Sequence, residues 1–160
     1  MSKNRRSSFG PFADELKGVL TRLVNNGLIR EERKGNMFEV KVGPAFKDIL
    51  PMYQEDLEAW KPIMDQVADL LLRTSTDQSE IAATVHFTAR ALQDFEDKRP
   101  TEREVLDAVM RWKQRRNPPL EEGEVAVAIR NLAALRWIDV VPSSDLPLQG
   151  DPVFETMILE

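Results

Sequence analysis

Cationic and amide side chains are concentrated in the first third of the chain. Residues 1–47 hold ten Lys or Arg and five Asp or Glu, whereas residues 48–160 hold twelve and twenty-two. Such side chains can contact nucleic-acid phosphates and base edges. The candidate DNA-binding residues are Lys17, Arg22, Asn25, Asn26, Arg30, Arg33, Lys34 and Lys41. Lys3, Arg5 and Arg6 of a flexible basic arm, residues 1–8, could add phosphate contacts.

Acidic residues are interspersed among these cations and favour a different interpretation. Asp14, Glu15, Glu31 and Glu32 all fall within the same stretch. Because phosphate binding favours an unbroken positive field, the charges could instead form a solvated face of a structural or protein-binding module. Both interpretations stay open at this stage.

Residues suited to catalysis, cofactor binding or metal binding do not form a recognisable pattern. The chain has no cysteine, which excludes disulfides, thiolate metal sites and a cysteine nucleophile. No Gly-rich phosphate loop, Ser/His/Asp arrangement or metal-ligand spacing is present. His86 is the only histidine, and its place beside an apolar helical stripe favours a structural role. We therefore expect no enzyme activity, no cofactor and no metal.

The candidate residues follow one predicted helix and one predicted hairpin. The helix begins near Pro11, because apolar residues then recur at helical spacing, and Asn25-Asn26-Gly27 ends it. Strands follow at residues 28–33 and 37–42, joined by a turn at 34–36. A helix followed by such a hairpin is the third helix and β-wing of a winged helix-turn-helix. The apolar helical face includes Phe12, Leu16, Leu20 and Leu23.

The rest of the chain is predicted to be helical until its last third ends in two short strands. Connecting helices occupy residues 51–76, with Pro62 either kinking a helix or starting a new one. Asp77 or Ser79 caps a helix through residue 95, and a Thr101/Glu104 capping box opens another. A third helix over 121–135 precedes strands at 137–141 and 153–159.

The helix and the start of its strand occur twice. Residues 15–29 align without gaps on residues 124–138, at an offset of 109. The second copy has two helices before it and so makes a complete winged-helix domain over residues 77–160. The first copy, residues 9–50, lacks those helices. The fold class expected is therefore mainly α with small β-wings, winged helix-turn-helix-like, with an incomplete N-terminal and a complete C-terminal copy.

The incomplete first copy predicts a buried interface. An exposed Phe12/Leu16/Leu20/Leu23 face would be an apolar patch of the kind that soluble monomers avoid. Either the chain is the C-terminal part of a longer protein, or helices from residues 45–73 or a second chain cover this face. We expect a homo-oligomer or a partner protein.

Four segments resemble a known group of prokaryotic proteins. They are FGPFADELKGVLTRLVNNGLI, VHFTARAL, TEREVLDAVMRWKQRR and the helix ending in LRWI, which together cover about half the chain. These segments are similar to the YwgA-like proteins and the related Panacea (SocA-like antitoxin) domains, whose functions are uncharacterised. The resemblance implies winged-helix-like domains and a role in regulation or protein interaction, and it brings no catalytic residues.

Two functions are expected from these observations. The first is a cytoplasmic, dimeric transcription regulator that binds double-stranded DNA through the N-terminal helix and wing. The second is an antitoxin-like or assembly subunit whose winged helices bind protein. The cytoplasmic location follows from the lack of a membrane-spanning apolar run, and the polar N-terminus MSKNRRSS has no signal-peptide core.

Overall fold

The chain is mainly helical with small β-sheets, as the sequence predicts. The computed structural model describes residues 4–7, 10–35 and 37–147. The strands are β1 Asn4–Ser7, β2 Gly10–Ala13, β3 Ile29–Lys34 and β4 Met37–Val42. The helices are α1 Asp14–Asn25, α2 Phe46–Ile49, a 3-10 turn Leu50–Tyr53, α3 Gln54–Arg73, α4 Thr76–Glu96, α5 Glu102–Lys113 and α6 Glu122–Ala134.

The N-terminal residues differ from the expected flexible arm. Strand β1 pairs with β2 in a two-stranded sheet, so that part of the arm is a strand. Pro11 lies within β2 and not in the first helix, and α1 begins only at Asp14. Proline suits such a strand because a two-stranded sheet leaves one edge of each strand free of ladder hydrogen bonds. Lys3 lies outside the described residues.

Apart from these strands, the chain divides into two compact units. The N-terminal unit runs through Arg73 and the C-terminal unit begins at Thr74. Most of the predicted connecting segment, residues 51–76, therefore belongs to the first unit. It contains one continuous helix, α3, with Pro62 inside it.

Helices α1 and α6 each end in the same type of backbone turn. After α1, the amide of Leu28 donates to the carbonyl of Leu23 at 2.9 Å, around Gly27 at φ 67°. After α6, the amide of Trp137 donates to the carbonyl of Leu132 at 2.8 Å, around Arg136 at φ 59°. Both are Schellman turns, in which a left-handed residue lets the chain satisfy the last helical carbonyls.

The C-terminal unit buries a core between three helices. Its buried apolar side chains occupy one face each of α4, α5 and α6 and the segments that follow. They are Ile81, Val85, Ala89, Val105, Leu106, Ala108, Val109, Leu120, Val125, Ala126, Ile129, Leu132, Ile138, Val140 and Leu146. Fully burying one aliphatic side chain contributes about 1.5–3 kcal/mol, so this unit has an adequate core of its own.

The predicted wing of the C-terminal unit is wrong over residues 137–141. This segment forms no strand, and only Val141 makes an isolated parallel bridge, to Thr101. The amide of Glu102 donates to the carbonyl of Val141 at 2.9 Å, which ties the segment to the start of α5. Ile138 and Val140 of this loop are buried in the core. The predicted partner strand, residues 153–159, lies outside the described residues.

Of the two helix caps predicted for this unit, one is confirmed and the other is corrected. The Thr101/Glu104 capping box opens α5 as expected. Helix α4, however, is capped by Ser75 in a capping box with Gln78, and not by Asp77 or Ser79. The Ser75 hydroxyl accepts from the Gln78 amide at 3.2 Å. Helix α4 therefore begins earlier than predicted. Ser75 and Gln78 have the spacing of a second capping box in this chain.

An ion-pair cluster joins α4 to the end of α5. The buried Lys113 Nζ donates to Glu80 Oε1 at 2.8 Å. Arg116 also donates to Glu80, and pairs with Asp77 at 2.8 Å. Burial on its own would raise the pKa of Glu80, but the hydrogen bonds from Lys113 and Arg116 outweigh it and hold this pKa below its ordinary 4.5.

Replacing Glu80 is expected to destabilise the C-terminal unit. Glu80→Gln leaves the Lys113 ammonium buried without this counter-charge, which should lower the free energy of unfolding by about 3 kcal/mol at pH 7. Because the folded pKa of Glu80 is depressed, its contribution is present above 4.5 and is lost as the pH falls through the folded pKa. Urea denaturation between pH 3 and 7 should therefore show a shallower acid loss for the variant.

The matched control is an exposed pair on α3. Lys61 and Asp65 form an i, i+4 pair in which both side chains are mostly exposed. Asp65→Asn removes one carboxylate charge, as Glu80→Gln does, and should change stability by under about 0.5 kcal/mol. Equal effects of the two substitutions would contradict the structural role given to Glu80.

Candidate interaction surface

The candidate residues lie on α1 and on an antiparallel hairpin, β3–β4. The hairpin register pairs Ile29 with Val42 and Lys34 with Met37. Gly35 in the turn has φ 65°, a conformation that residues with a Cβ rarely adopt. Arg33 Nε donates to the Gly35 carbonyl at 3.1 Å and so bonds to the turn. Helix α1 packs against β3.

One face of the hairpin is a ladder of alternating charges. Arg30 Nε lies 3.2 Å from Glu32 Oε1, and Lys34 Nζ lies 3.6 Å from Glu39 Oε2. Lys41 contacts both carboxylates, Glu32 and Glu39. Three of the candidate DNA-binding cations are thus paired with two carboxylates from the same sheet face. We call these five residues the charge ladder.

The pKa values within the charge ladder are consistent with this pairing. The hydrogen bond from Lys41 holds the pKa of Glu32 below its ordinary value. The hydrogen bonds to Glu32 and then Glu39 raise the pKa of Lys41. Both shifts favour the charged forms of Glu32 and Lys41. Three cations and two carboxylates leave it nearly neutral, which is a weak electrostatic attraction for phosphate.

Glu39 is not among the acidic residues that the sequence predicts to oppose phosphate binding. The signal was available in the turn, because a two-residue Gly35-Asn36 connection sets the register of the strands. That register places Glu39 opposite Glu32 and diagonal to Lys34, on the same face of β4 as Lys41.

The other face of the hairpin is apolar and exposed along β4, whereas its β3 half carries Glu31 opposite Val40 and Arg33 opposite Phe38. Phe38, Val40 and Val42 share this face, as predicted from their alternation. Their exposed fractions are 66%, 51% and 60%. An apolar strand face in a folded protein usually packs on a helix or a second sheet. In this hairpin the described residues leave it open to solvent.

The predicted interface face of α1 is incompletely covered. Leu16 is 55% exposed, whereas Leu20 and Leu23 are partly buried. The burial of the Phe12 side chain lies outside what the structure describes. Helix α3 therefore does not cover Leu16, as the prediction that helices from residues 45–73 complete the first copy would require.

The remaining candidate DNA-binding residues are exposed on α1 and its C-terminal turn. Lys17, Arg22 and Asn25 lie on the helix, and Lys17 and Arg22 are exposed. The Asn26 side chain donates to the Arg22 carbonyl at 2.9 Å and so caps the helix end. Together with Arg33, these residues are the candidate DNA-binding side chains that lie outside the charge ladder.

A close backbone contact holds the hairpin to the end of α1. The Gly43 amide donates to the Leu28 carbonyl at 2.8 Å, and the Ala45 amide donates to the Gly27 carbonyl at 3.0 Å. A Cβ at position 43 would lie 2.2 Å from the Gly27 oxygen. Gly43 is also the one residue within 12–73 that is buried, among those whose burial the structure describes. Backbone hydrogen bonds thus hold the hairpin to the end of α1 in the N-terminal unit. The described side chains of this unit form no apolar core.

A side chain at position 43 should separate the hairpin from α1. Gly43→Ala cannot be accommodated without moving backbone, and we expect a loss of local stability of roughly 1–3 kcal/mol. Hydrogen exchange of the β3 and β4 amides in the full chain measures this loss as faster exchange.

Gly18→Ala is the control, because the added Cβ on α1 has only one neighbour, the Arg22 guanidinium at 3.8 Å. It should slow exchange in α1, since alanine is favoured over glycine in a helix by about 0.5–1 kcal/mol. Unchanged β3–β4 exchange in Gly43→Ala would show that the close contact is not needed.

The structure gives no further indication of metal or membrane chemistry. No group of three or more potential metal ligands occurs among the described residues. His86 packs edge-on to Trp137, with ring centroids 6.5 Å apart. Partial burial, and then the charge of Arg90, lower its pKa. Within the described ranges, no helix has the length and apolarity needed to cross a membrane.

Comparison with known proteins identifies no relative. No protein-family model, no curated protein and no solved structure matches the chain.

Proposed function

We propose that this chain is a non-catalytic, winged-helix-like regulatory protein whose N-terminal helix and hairpin bind another polypeptide. The observation that carries the proposal is the exposed apolar surface formed by Leu16 on α1 and by Phe38, Val40 and Val42 on β4. We call these four residues the apolar surface.

The apolar surface favours protein over nucleic acid as the partner. Burying each large apolar side chain contributes about 1.5–3 kcal/mol, which is enough to drive association when several are covered together. Exposed apolar patches of this kind mark interaction sites in soluble proteins. The charge ladder on the opposite face is internally paired and offers phosphate little net charge.

The winged-helix interpretation and the internal repeat are supported by the ends of α1 and α6. Their Schellman turns involve Leu23 and Leu28 in one case and Leu132 and Trp137 in the other, each pair at the aligned offset of 109. The second copy packs its helix on α4 and α5. By analogy, the first copy requires a surface that takes the place of two helices, and a partner protein would supply it.

DNA binding is the second candidate function. Its specific support is the exposure of Lys17, Arg22 and Arg33 on the helix and hairpin that a winged-helix protein presents to DNA. A transcription regulator of this kind would bind duplex as a dimer. The resemblance to YwgA-like and SocA-like antitoxin proteins is compatible with both candidates, as is a cytoplasmic location.

A photocrosslinking experiment tests protein binding by the apolar surface. A photoreactive phenylalanine analogue at Phe38 should yield one discrete adduct in native cells, because this face is covered by a partner there. Phe95 is the matched position, since it is 88% exposed but lies at the end of α4 in the other unit. The same analogue at Phe95 should not give this adduct.

Specificity of the adduct is checked with Val40→Asp, which places a charge on the same face. The adduct should disappear in this background, and the identified partner, once purified, should bind the wild-type chain at least roughly tenfold more tightly than the Val40→Asp chain. Identical adducts from positions 38 and 95, or an adduct that persists in the Val40→Asp background, would reject the proposal.

Duplex binding measured against salt separates the two candidates. We expect wild-type protein to bind DNA weakly, and Glu32→Gln/Glu39→Gln to bind better, because the cations of the charge ladder lose their counter-charges. The salt dependence should steepen by roughly one unit in log–log slope per cation that reaches a phosphate. Glu55→Gln/Glu58→Gln makes the same charge change on α3 and is the control.

Tight wild-type binding with a steep salt dependence would favour the DNA candidate. In that case replacing Arg30, Arg33 and Lys34 together should reduce both the affinity and the slope. If the two double variants behave alike, net charge alone accounts for the change and the ladder has no special role.

A further inference from the structure

Helix α3 is a long amphipathic helix whose apolar face is open to solvent. It spans 20 residues, and none of its side chains is buried. Trp60 is 61% exposed, and Ile63, Met64 and Leu71 are also exposed. At 1.5 Å per residue the helix is about 30 Å long, so this face is too large to be an incidental feature.

The apolar residues of α3 follow a heptad spacing. Counting from the preceding turn, the separations alternate between four and three residues. The positions are Tyr53, Leu57, Trp60, Met64, Val67 and Leu71. A strict four–three alternation keeps these side chains on one seam only if two helices wind around each other. The spacing therefore indicates a helical partner, and not a flat sheet.

The opposite side of α3 is mainly acidic, with Leu72 exposed near its C-terminal end. Glu55, Glu58, Asp65 and Asp69 occupy heptad positions away from the seam, and Pro62 lies among them. The proline ring consequently does not enter the seam. Only one face of α3 is suited to pairing with another helix.

Two charges at the edges of the seam identify the partner. Asp56 lies next to Leu57 at one edge of the seam, and Lys61 lies next to Trp60 at the other edge. About one and a half helical turns separate Asp56 from Lys61. In a parallel pair of identical helices, such residues meet across the seam, Asp56 of each copy facing Lys61 of the other. In an antiparallel pair they would not meet, because edge positions of the same kind then face each other. The charge pattern is self-complementary in the parallel arrangement.

We propose that α3 pairs with α3 of a second copy as a parallel two-stranded coiled coil, with Trp60 at the centre of its seam. The inference goes beyond the proposed function, because it concerns a surface of α3 and not the apolar surface of α1 and β4. The hairpin adduct and the α3 contact concern different surfaces, so either proposal can fail while the other holds.

The length of the seam predicts a reversible dimer. From Tyr53 to Leu71 it includes fewer than about three heptads, whereas sustained coiled coils usually have three or four. We therefore expect the monomer and the dimer to exchange with protein concentration. Sedimentation equilibrium of the full chain measures the dissociation constant directly.

Charge reversal tests the parallel register. Asp56→Lys or Lys61→Glu alone should weaken the dimer roughly tenfold, because each creates two like-charge contacts across the symmetric seam. The double variant Asp56→Lys/Lys61→Glu should recover most of the affinity. Residues at this spacing do not face each other on one helix, so recovery can come only from a second helix.

Glu55→Lys is the control for charge and helix position. Glu55 adjoins Asp56 in the first turn of α3 but occupies a heptad position away from the seam. Glu55→Lys makes the same charge change as Asp56→Lys. It should leave the dissociation constant of the dimer within about twofold of the wild-type value. Circular dichroism of every variant at high dilution checks that the monomeric helix content is unchanged.

Trp60→Ala provides an independent measurement of the seam. Removing a central aromatic anchor should weaken the dimer roughly 30-fold or more. A chain that stays monomeric at all concentrations, with Trp60 either exposed or covered by another segment of the same chain, overturns the proposal. So does a double charge variant that remains as weak as the single variants, or an equal effect of Glu55→Lys.

Discussion

The constraint on which the rest of this structure depends is the need to cover apolar surface. The C-terminal unit satisfies it internally, because α4, α5 and α6 enclose Val85, Leu106 and Ile129 completely. The N-terminal unit does not satisfy it, since Gly43 is its one buried residue among those described. Binding of a partner would therefore affect the cores of the two units differently. The first would gain a core on binding, whereas the second already has one.

Ion pairs have different roles in the two units for the same reason. Lys113 is buried and Glu80 is largely shielded from solvent, so their ion pair is little screened and joins α4 to α5. The charge ladder of β3–β4 is exposed, and its pairs contribute little to stability because water screens them. Its effect is on recognition, since cations paired within one sheet face are less available to an external phosphate.

Local patterns in the sequence predicted local structure well. Gly27 and the Thr101/Glu104 capping box marked helix ends because their chemistry depends on neighbouring residues alone. The strand expected at residues 137–141 failed because buried apolar residues such as Ile138 and Val140 occur equally in a strand or in a loop packed on a core. Neither the exposure of the apolar surface nor the pairing of Glu39 follows from periodicity. Both depend on which elements pack together.

The left-handed residues that follow α1 and α6 differ in what their conformation costs the chain. Arg136 holds a left-handed conformation that costs an L-residue roughly 1–2 kcal/mol, and such strain persists only where surrounding packing enforces it. The buried core of the C-terminal unit provides that enforcement. Gly27 meets the same geometry without strain, as suits a unit with no core to impose it. A residue with a Cβ at position 27 would therefore add backbone strain that the N-terminal unit has no core to offset.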